Sequence, residues 1–295
     1  MALDHFEWFP PEGDTSLVFG DIPYVVRDFS GLGSTFVVPQ TEKSPFQVGE
    51  TLLNVRSDMR AFSISLRLIA GTKGELHDLR HALARSMVTN PVRQTGDVSL
   101  GLLRYMRAGR DALELPCVPR ESPQFGEIDG AKWAVDADLE FVAPNPYWRG
   151  TSDSLSILAG LAGGLEFAIE FPIEFETANI EKEIINQGDI PAPFRARVFG
   201  DLTTFRLLNL TTGASLEVSG PIAAGDYVEV STGFGEKYVR YVDLPGGATT
   251  DIFDRLTLGS NFWLLRRGSN MIRFEADTNI SGTVNFYWRE RFAGL

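Results

Sequence analysis

His77, Asp78, Leu79, Arg80 and His81 form the one stretch whose residue types and spacing approach a catalytic metal motif. Two histidines four residues apart on a helix face the same way, as the ligand pair of a zinc hydrolase must. The match stops there. Asp78 stands where that motif carries a glutamate, and the shorter carboxylate draws the general base away from a metal-bound water. The only other histidine is His5, and no third ligand can be placed. The pair reads as an exposed or interfacial helix face; metal-dependent hydrolysis would instead be lost on replacing His77 and His81 by alanine. No phosphate-binding glycine loop and no Gly-x-Ser-x-Gly nucleophile turn occurs. Cys117 is the only cysteine, so neither an intrachain disulfide nor a thiolate metal cluster can form within one chain. No catalytic residue, no metal site and no cofactor is expected.

Carboxylates and aromatics offer two further chemistries. Asp136, Asp138 and Glu140 share one phase of a period-two pattern whose other phase is Trp133, Val135, Ala137, Leu139 and Phe141. Such a row could supply paired carboxylates or a calcium site, but alternation alone predicts a polar outer strand face. If that face lined a channel, the row would repel a polyanion from the lumen. Trp148, Trp263, Tyr287 and Trp288 could stack on sugar rings, with Trp263 and Trp288 as the leading pair; strand aromatics more often pack in cores. Phe6, Trp8 and Phe9 lie in an acidic, proline-bearing stretch, residues 1–15, that either packs on a neighbour or folds back on its own domain. Phe46 sits in a polar stretch from Val38 to Glu50 that reads as a loop or an extended hairpin arm.

The elements that must position these residues are mostly strands. Leu17 to Phe19 and Tyr24 to Val26 flank a Gly-Asp-Ile-Pro turn, and Ala61 to Ile69 alternates cleanly. The spacing of Leu76, Leu79, Leu83 and Met87 predicts a helix, opened by a capping box in which the Thr72 hydroxyl accepts from the Glu75 amide and the Glu75 carboxylate reaches back to the Thr72 amide. Asn90-Pro91 must lie beyond its end. Leu100 to Met106, Leu113 to Val118 and Trp133 to Val142 add strands, with a Pro- and Gly-rich connection around Ser122 to Gly130. Pro144 and Pro146 stop the last of these strands. Residues 1–150 are therefore expected to form an α+β domain of antiparallel strands with one helix, and 151–164 a linker. Residues 165–295 carry strand candidates at short intervals: Glu166 to Phe171, Glu181 to Asn186, Phe194 to Phe199, Phe205 to Asn209, Ser215 to Val218, Tyr227 to Ser231, Tyr238 to Val242, Met271 to Ala276 and Thr283 to Trp288. That spacing predicts a β-sandwich or jelly roll.

Composition bounds the function classes. The 295 residues suffice for two cores, and 43% hydrophobic with 22% charged residues is a globular balance. A formal charge of −12 argues against gripping nucleic acid through its phosphates. It does not exclude DNA passing nearby, since an acidic wall repels a polyanion, but solubility alone accounts for the number. No basic and apolar leader and no stretch of membrane-spanning length is seen, so export by a standard signal and insertion in a bilayer are not expected.

The order of these features resembles the distal tail protein family of long-tailed phages, also called the phage tail component family. The residues that carry the resemblance are Pro23 to Leu32, the strand and helix from Phe62 to Met87, and Phe141-Val142-Ala143-Pro144-Asn145-Pro146-Tyr147-Trp148. In the second half they are Ile185 to Asp189 followed by Pro191 and Pro193, Leu208 to Gly213, Ala224-Gly225-Asp226, and Leu265 to Ile272. The resemblance implies a mainly β chain: an N-terminal belt domain that closes into a hexameric ring, then a galectin-like β-sandwich. Such a ring would join the tail tube protein to a tail tip, hub or baseplate protein, and DNA would pass through it without specific binding. The protein would be part of the virion, assembled in the host cytoplasm. The family brings no catalytic residues, and the chain is too short for the inserted carbohydrate-binding modules of some relatives. Two alternatives remain at this point: a carbohydrate-binding module on the tail tip that aids host adsorption, and another tail-hub component.

Overall fold

The computed structural model describes residues 5–11, 15–33, 37–88, 99–107, 109–159, 180–276 and 282–295. It divides into two units, Met1–Thr151 with Phe292–Leu295, and Ser152–Arg291.

In the first unit, β1 (His5–Phe9), β2 (Leu17–Phe19) and β3 (Tyr24–Ser30) lead to a hairpin of β4 (Val37–Glu42) and β5 (Thr51–Ser57). There follow β6 (Arg60–Ile69), α1 (Lys73–Ser86), β7 (Gly101–Met106), β8 (Leu113–Pro119), β9 (Gln124–Asp129), β10 (Ala134–Ala143) and β11 (Trp148–Gly150). The main sheet runs β2-β1-β7-β8-β10-β6-β3, with β9 on β10 and β11 on β8. β10 meets β8 only through Phe141 and Val142, while it pairs with β6 along its whole length. The two halves of the sheet share one core: Trp8 from β1 lies against Phe141 from β10, ring centroids 5.1 Å apart, and Phe62 stacks on Phe141 at the same distance. Leu76, Leu83 and Met87 bring α1 into that core, and the Trp8 indole donates to the Ser86 carbonyl at the helix end. This is why one amphipathic helix suffices: its apolar stripe covers a sheet that already folds over itself.

The second unit is a two-sheet sandwich. After β12 (Ser154–Ala159) come β13 (Ile180–Asn186), β14 (Phe194–Phe199), β15 (Leu202–Asn209), β16 (Ala214–Ile222), β17 (Tyr227–Gly233), β18 (Glu236–Asp243) and β19 (Ala248–Asp251). A short 3-10 turn, Phe253–Arg255, precedes β20 (Gly268–Ala276) and β21 (Thr283–Trp288). One sheet has the order β12-β21-β14-β17-β18-β19, the other β13-β20-β15-β16. Phe194, Val198, Val284 and Phe286 from the first meet Phe205, Leu207, Ile272 and Phe274 from the second. Alternation fixes which residues these are, because a slip of one position would send every one of them to the outer face.

Four expectations need correction. Residues 151–164 are not all linker, since β12 lies among them and pairs with β21 from Ser154 to Ala159; its Ser- and Ala-rich sequence hides an edge strand in which Ser156 and Leu158 face inwards. The Pro- and Gly-rich connection at 122–130 contains β9, which a bulge at Val135 and Ala137 accommodates against β10. Phe292–Leu295 returns to the first unit, so the second does not extend to residue 295. Trp133 stands outside β10 with φ at 44°, and Ala134 is buried in its place. The candidate strand Glu166 to Phe171 and the Asn90-Pro91 stop lie outside the described residues.

Candidate interaction surfaces

The N-terminal aromatics take the self-folded alternative. Phe6 and Trp8 have no exposed surface, because β1 is inserted between β2 and β7 and turns alternate residues into the core. They are core, not contact, residues. Phe9 is half-buried and covered by the Arg104 guanidinium, 4.6 Å from its ring centroid. That guanidinium also bridges Glu7 at 3.2 Å and the buried Glu114 at 2.9 Å, so the site is filled from within.

Phe46 is different. It sits at the tip of the β4–β5 hairpin, fully exposed with φ at 69°, beside an equally exposed Val48. The hairpin forms a two-stranded sheet of its own. The register sets Pro39 opposite Val55 and Thr41 opposite Leu52, with Leu53 the extra residue of a bulge, so Val37, Pro39 and Val55 share one face and Leu53 lies at the bulge beside it. Val37, Leu53 and Val55 are each about half exposed or more. An isolated two-stranded hairpin is marginal in water, and one that also displays an apolar face calls for a covering surface. The apolar residues Leu52, Leu53 and Val55 were the available signal, obscured by the polar residues around them.

The acidic row is exposed as expected, but two of its three carboxylates are paired with arginines. Asp136 accepts from Arg27 at 3.1 Å and lies 3.7 Å from Arg67, Glu140 lies 3.6 Å from Arg120, and the Ser65 hydroxyl donates to Asp138 at 2.6 Å. Cross-strand neighbours on β3 and β6, and Arg120 just after β8, supply these partners, which alternation within β10 alone does not reveal. Taken with its neighbours, this face is no uniformly repulsive wall. His77 and His81 are exposed on α1, and among the described residues no group of three or more metal-ligating side chains converges.

The sugar-stacking candidates are also corrected. Trp263 and Trp288 belong to the sandwich core, and Trp263 packs against Phe194 with centroids 4.4 Å apart. Trp148 is wholly buried in the first unit, its indole donating to the Leu32 carbonyl at 3.4 Å. Tyr287 is half-buried under Arg195 and Arg197. No ring of this set presents a free face.

On the outer side of the same sheet, Glu229 accepts from Arg197 at 2.6 Å and from the Tyr238 hydroxyl at 2.7 Å. Burial pushes the Glu229 carboxyl up, but the Tyr238 and Arg197 hydrogen bonds more than offset it and hold the group below the usual carboxylate range. Burial and the Glu229 carboxylate together push Tyr238 up to about 12.

The remaining motif residues shape backbone. Asn186 accepts from the Gly188 amide and donates to the carbonyls of Ile190 and Leu265, each at 3.0 Å. Asn209 caps its turn by accepting from Thr211 and Thr212, and donates to the buried Asn270. Asp226 holds the Leu244 amide and the Tyr241 hydroxyl. These side chains make the backbone hydrogen bonds that irregular chain would otherwise leave unmade.

Against known proteins, residues 187–292 match the family described as the siphovirus-type tail component, C-terminal domain. In structure the chain is similar to SPP1 Dit (gp 19.1), described as a paradigm of the hub adsorption apparatus in phages infecting Gram-positive hosts. The TM-score is 0.67 at 16% identity, over 97% of this chain and 99% of that one. It is similar also to a chain of the phage P2 baseplate in its activated conformation with Ca, with a TM-score of 0.51 at 11% identity over 98% of both chains. The baseplate with Sr gives 0.50 at 10% over the same shares. A comparison with curated protein sequences finds no match. At these identities the structural likeness establishes the fold, and the family match covers most of the sandwich.

Proposed function

We infer that this chain, a structural phage tail component by its family and a distal tail protein by its fold, builds a homo-oligomeric ring, a hexamer, at the far end of a long tail. The observation that carries this is the combination of a tail-component domain over residues 187–292 with likeness to one distal tail protein along 97% of the chain. The first unit makes the ring. On one side the ring meets the tail tube protein, on the other a tip, hub or baseplate protein, and DNA passes through without specific binding. The net charge of −12 supports passage without retention. The work is structural and calls for no catalysis.

Within that ring, the contact we propose is the β4–β5 hairpin, seated by Phe46, Val48, Leu53 and Val55 on the neighbouring copy. These four are exposed in the single chain and lie together on one short element. With Phe6 and Trp8 committed to the core, the hairpin is the surface that a second copy would cover. Adding the purified protein to isolated tail tubes and imaging them by negative stain tests the placement. Rings seated at one end of the tubes are expected; binding along the tube wall, or none, would refute it.

A further inference from the structure

The first unit is discontinuous in sequence: Phe292–Leu295 joins it after the chain has run through Ser152–Arg291. The short strand that ends at Phe292 pairs with β11, and beyond it one side chain gathers the join. Arg60 stands in phase with Phe62, Ile64, Leu66 and Leu68 on β6, and like them it is buried, with 2% of its surface exposed. Its guanidinium donates to the carbonyls of Pro146 at 2.7 Å, Gly33 at 2.7 Å, Gly31 at 3.3 Å and Ala293 at 2.5 Å. Among the described residues these four backbone carbonyls are its partners. They come from the turn after β3, the proline turn after β10 and the returning segment, three stretches remote from one another in sequence. Phe292 packs on the same core. A buried guanidinium is tolerated only while its N–H groups are occupied, and here one acceptor arrives last.

We propose that Phe292–Leu295 is a latch on Arg60, so that the first unit closes only once the chain has passed through the second. A chain broken off within the sandwich would then carry an unlatched first unit and be kept out of assembly. This rests on the connectivity of the fold and not on the ring reading, and its test reads the first unit directly.

The test compares amide exchange and thermal unfolding of the full chain with a chain stopped after Arg291. Exchange on β1, β6 and β10 should accelerate by about tenfold or more while β14 and β17 keep their protection. The melting temperature of the first unit should fall by roughly 5–10 °C. A chain stopped after Ala293 keeps the acceptor and should match the full chain. If the shortened chain does not fold, Arg60→Met in the full chain serves instead: exchange at Ala293 and Gly294 should rise above that of the parent chain. Unchanged exchange in β1, β6 and β10 after the stop at Arg291, or equal acceleration in both units, would overturn the latch, as would unaltered exchange at 293–294 in R60M.

Discussion

At the scale of single residues, most side chains whose chemistry invites a functional role instead hold backbone or fill core. Trp263→Ala and Trp288→Ala should each destabilise the sandwich by about 3–5 kcal/mol, since both rings are buried among core residues. Thermal melts would show the loss, and a sugar-binding difference without any change in stability would contradict the assignment. Gly31 has φ at 77°, and a Cβ there would stand 2.5 Å from the Ala61 carbonyl oxygen. Gly31→Ala should therefore cost about 1–3 kcal/mol, measured by denaturant unfolding. The Glu229 and Tyr238 pair gives a pH prediction with a definite sign. Because Glu229 is held below its ordinary value of 4.5, the stability it lends is present above that pH and is lost as the pH falls through its lower folded value. Tyr238, raised from 10.0 to about 12, lends stability that is complete below pH 10 and lost as the pH climbs towards 12. In Glu229→Gln the acid limb of the stability profile should flatten, and Tyr238 should titrate nearer 10; an unshifted tyrosine titration would break the link between the two groups.

At the scale of elements, local rules account for much of what formed. The Thr72 hydroxyl accepts from the Glu75 amide at 3.2 Å, as the sequence predicts, but the Glu75 carboxylate accepts from Gly71 rather than Thr72. Thr72→Ala should cost about 1 kcal/mol of stability in the first unit, measured by chemical unfolding. β6, α1, β10, β14 and β21 were legible because each carries enough alternating or helical positions to fix its phase alone. β9, β12 and β19 were not, since their inward residues are few and their existence depends on a partner strand distant in sequence. The same limit applies to sites. Asp136 and Glu140 are visible in the sequence as carboxylates, whereas the arginines that balance them come from β3, β6 and the residue after β8. Arg60 did leave a trace, a charged residue on the apolar phase of β6, that strand-by-strand reading passes over. The hairpin was legible as an arm, and its function is testable there. Leu53→Asp with Val55→Asp should alter monomer stability by only about 0.5 kcal/mol for each exposed site, yet abolish oligomers in sedimentation velocity. Intact oligomers in that variant would place the contact elsewhere.

At the scale of the whole molecule, two cores with separate hydrophobic clusters share one chain that crosses between them at 151–152 and again at 291–292. A fold shared along 97% of the chain with SPP1 Dit, a family match over residues 187–292 and an uncovered apolar hairpin are together what the proposed ring rests on. On that proposal the acidic balance would belong to the assembly, where it would keep a passing polyanion from binding, and not to any one row of carboxylates. The most direct measurement is the mass of the full-length protein by light scattering across a range of concentrations, with negative-stain images of the same peak. A particle of six times 32.6 kDa with an open centre is the predicted result; a single 32.6-kDa species at every concentration would contradict it.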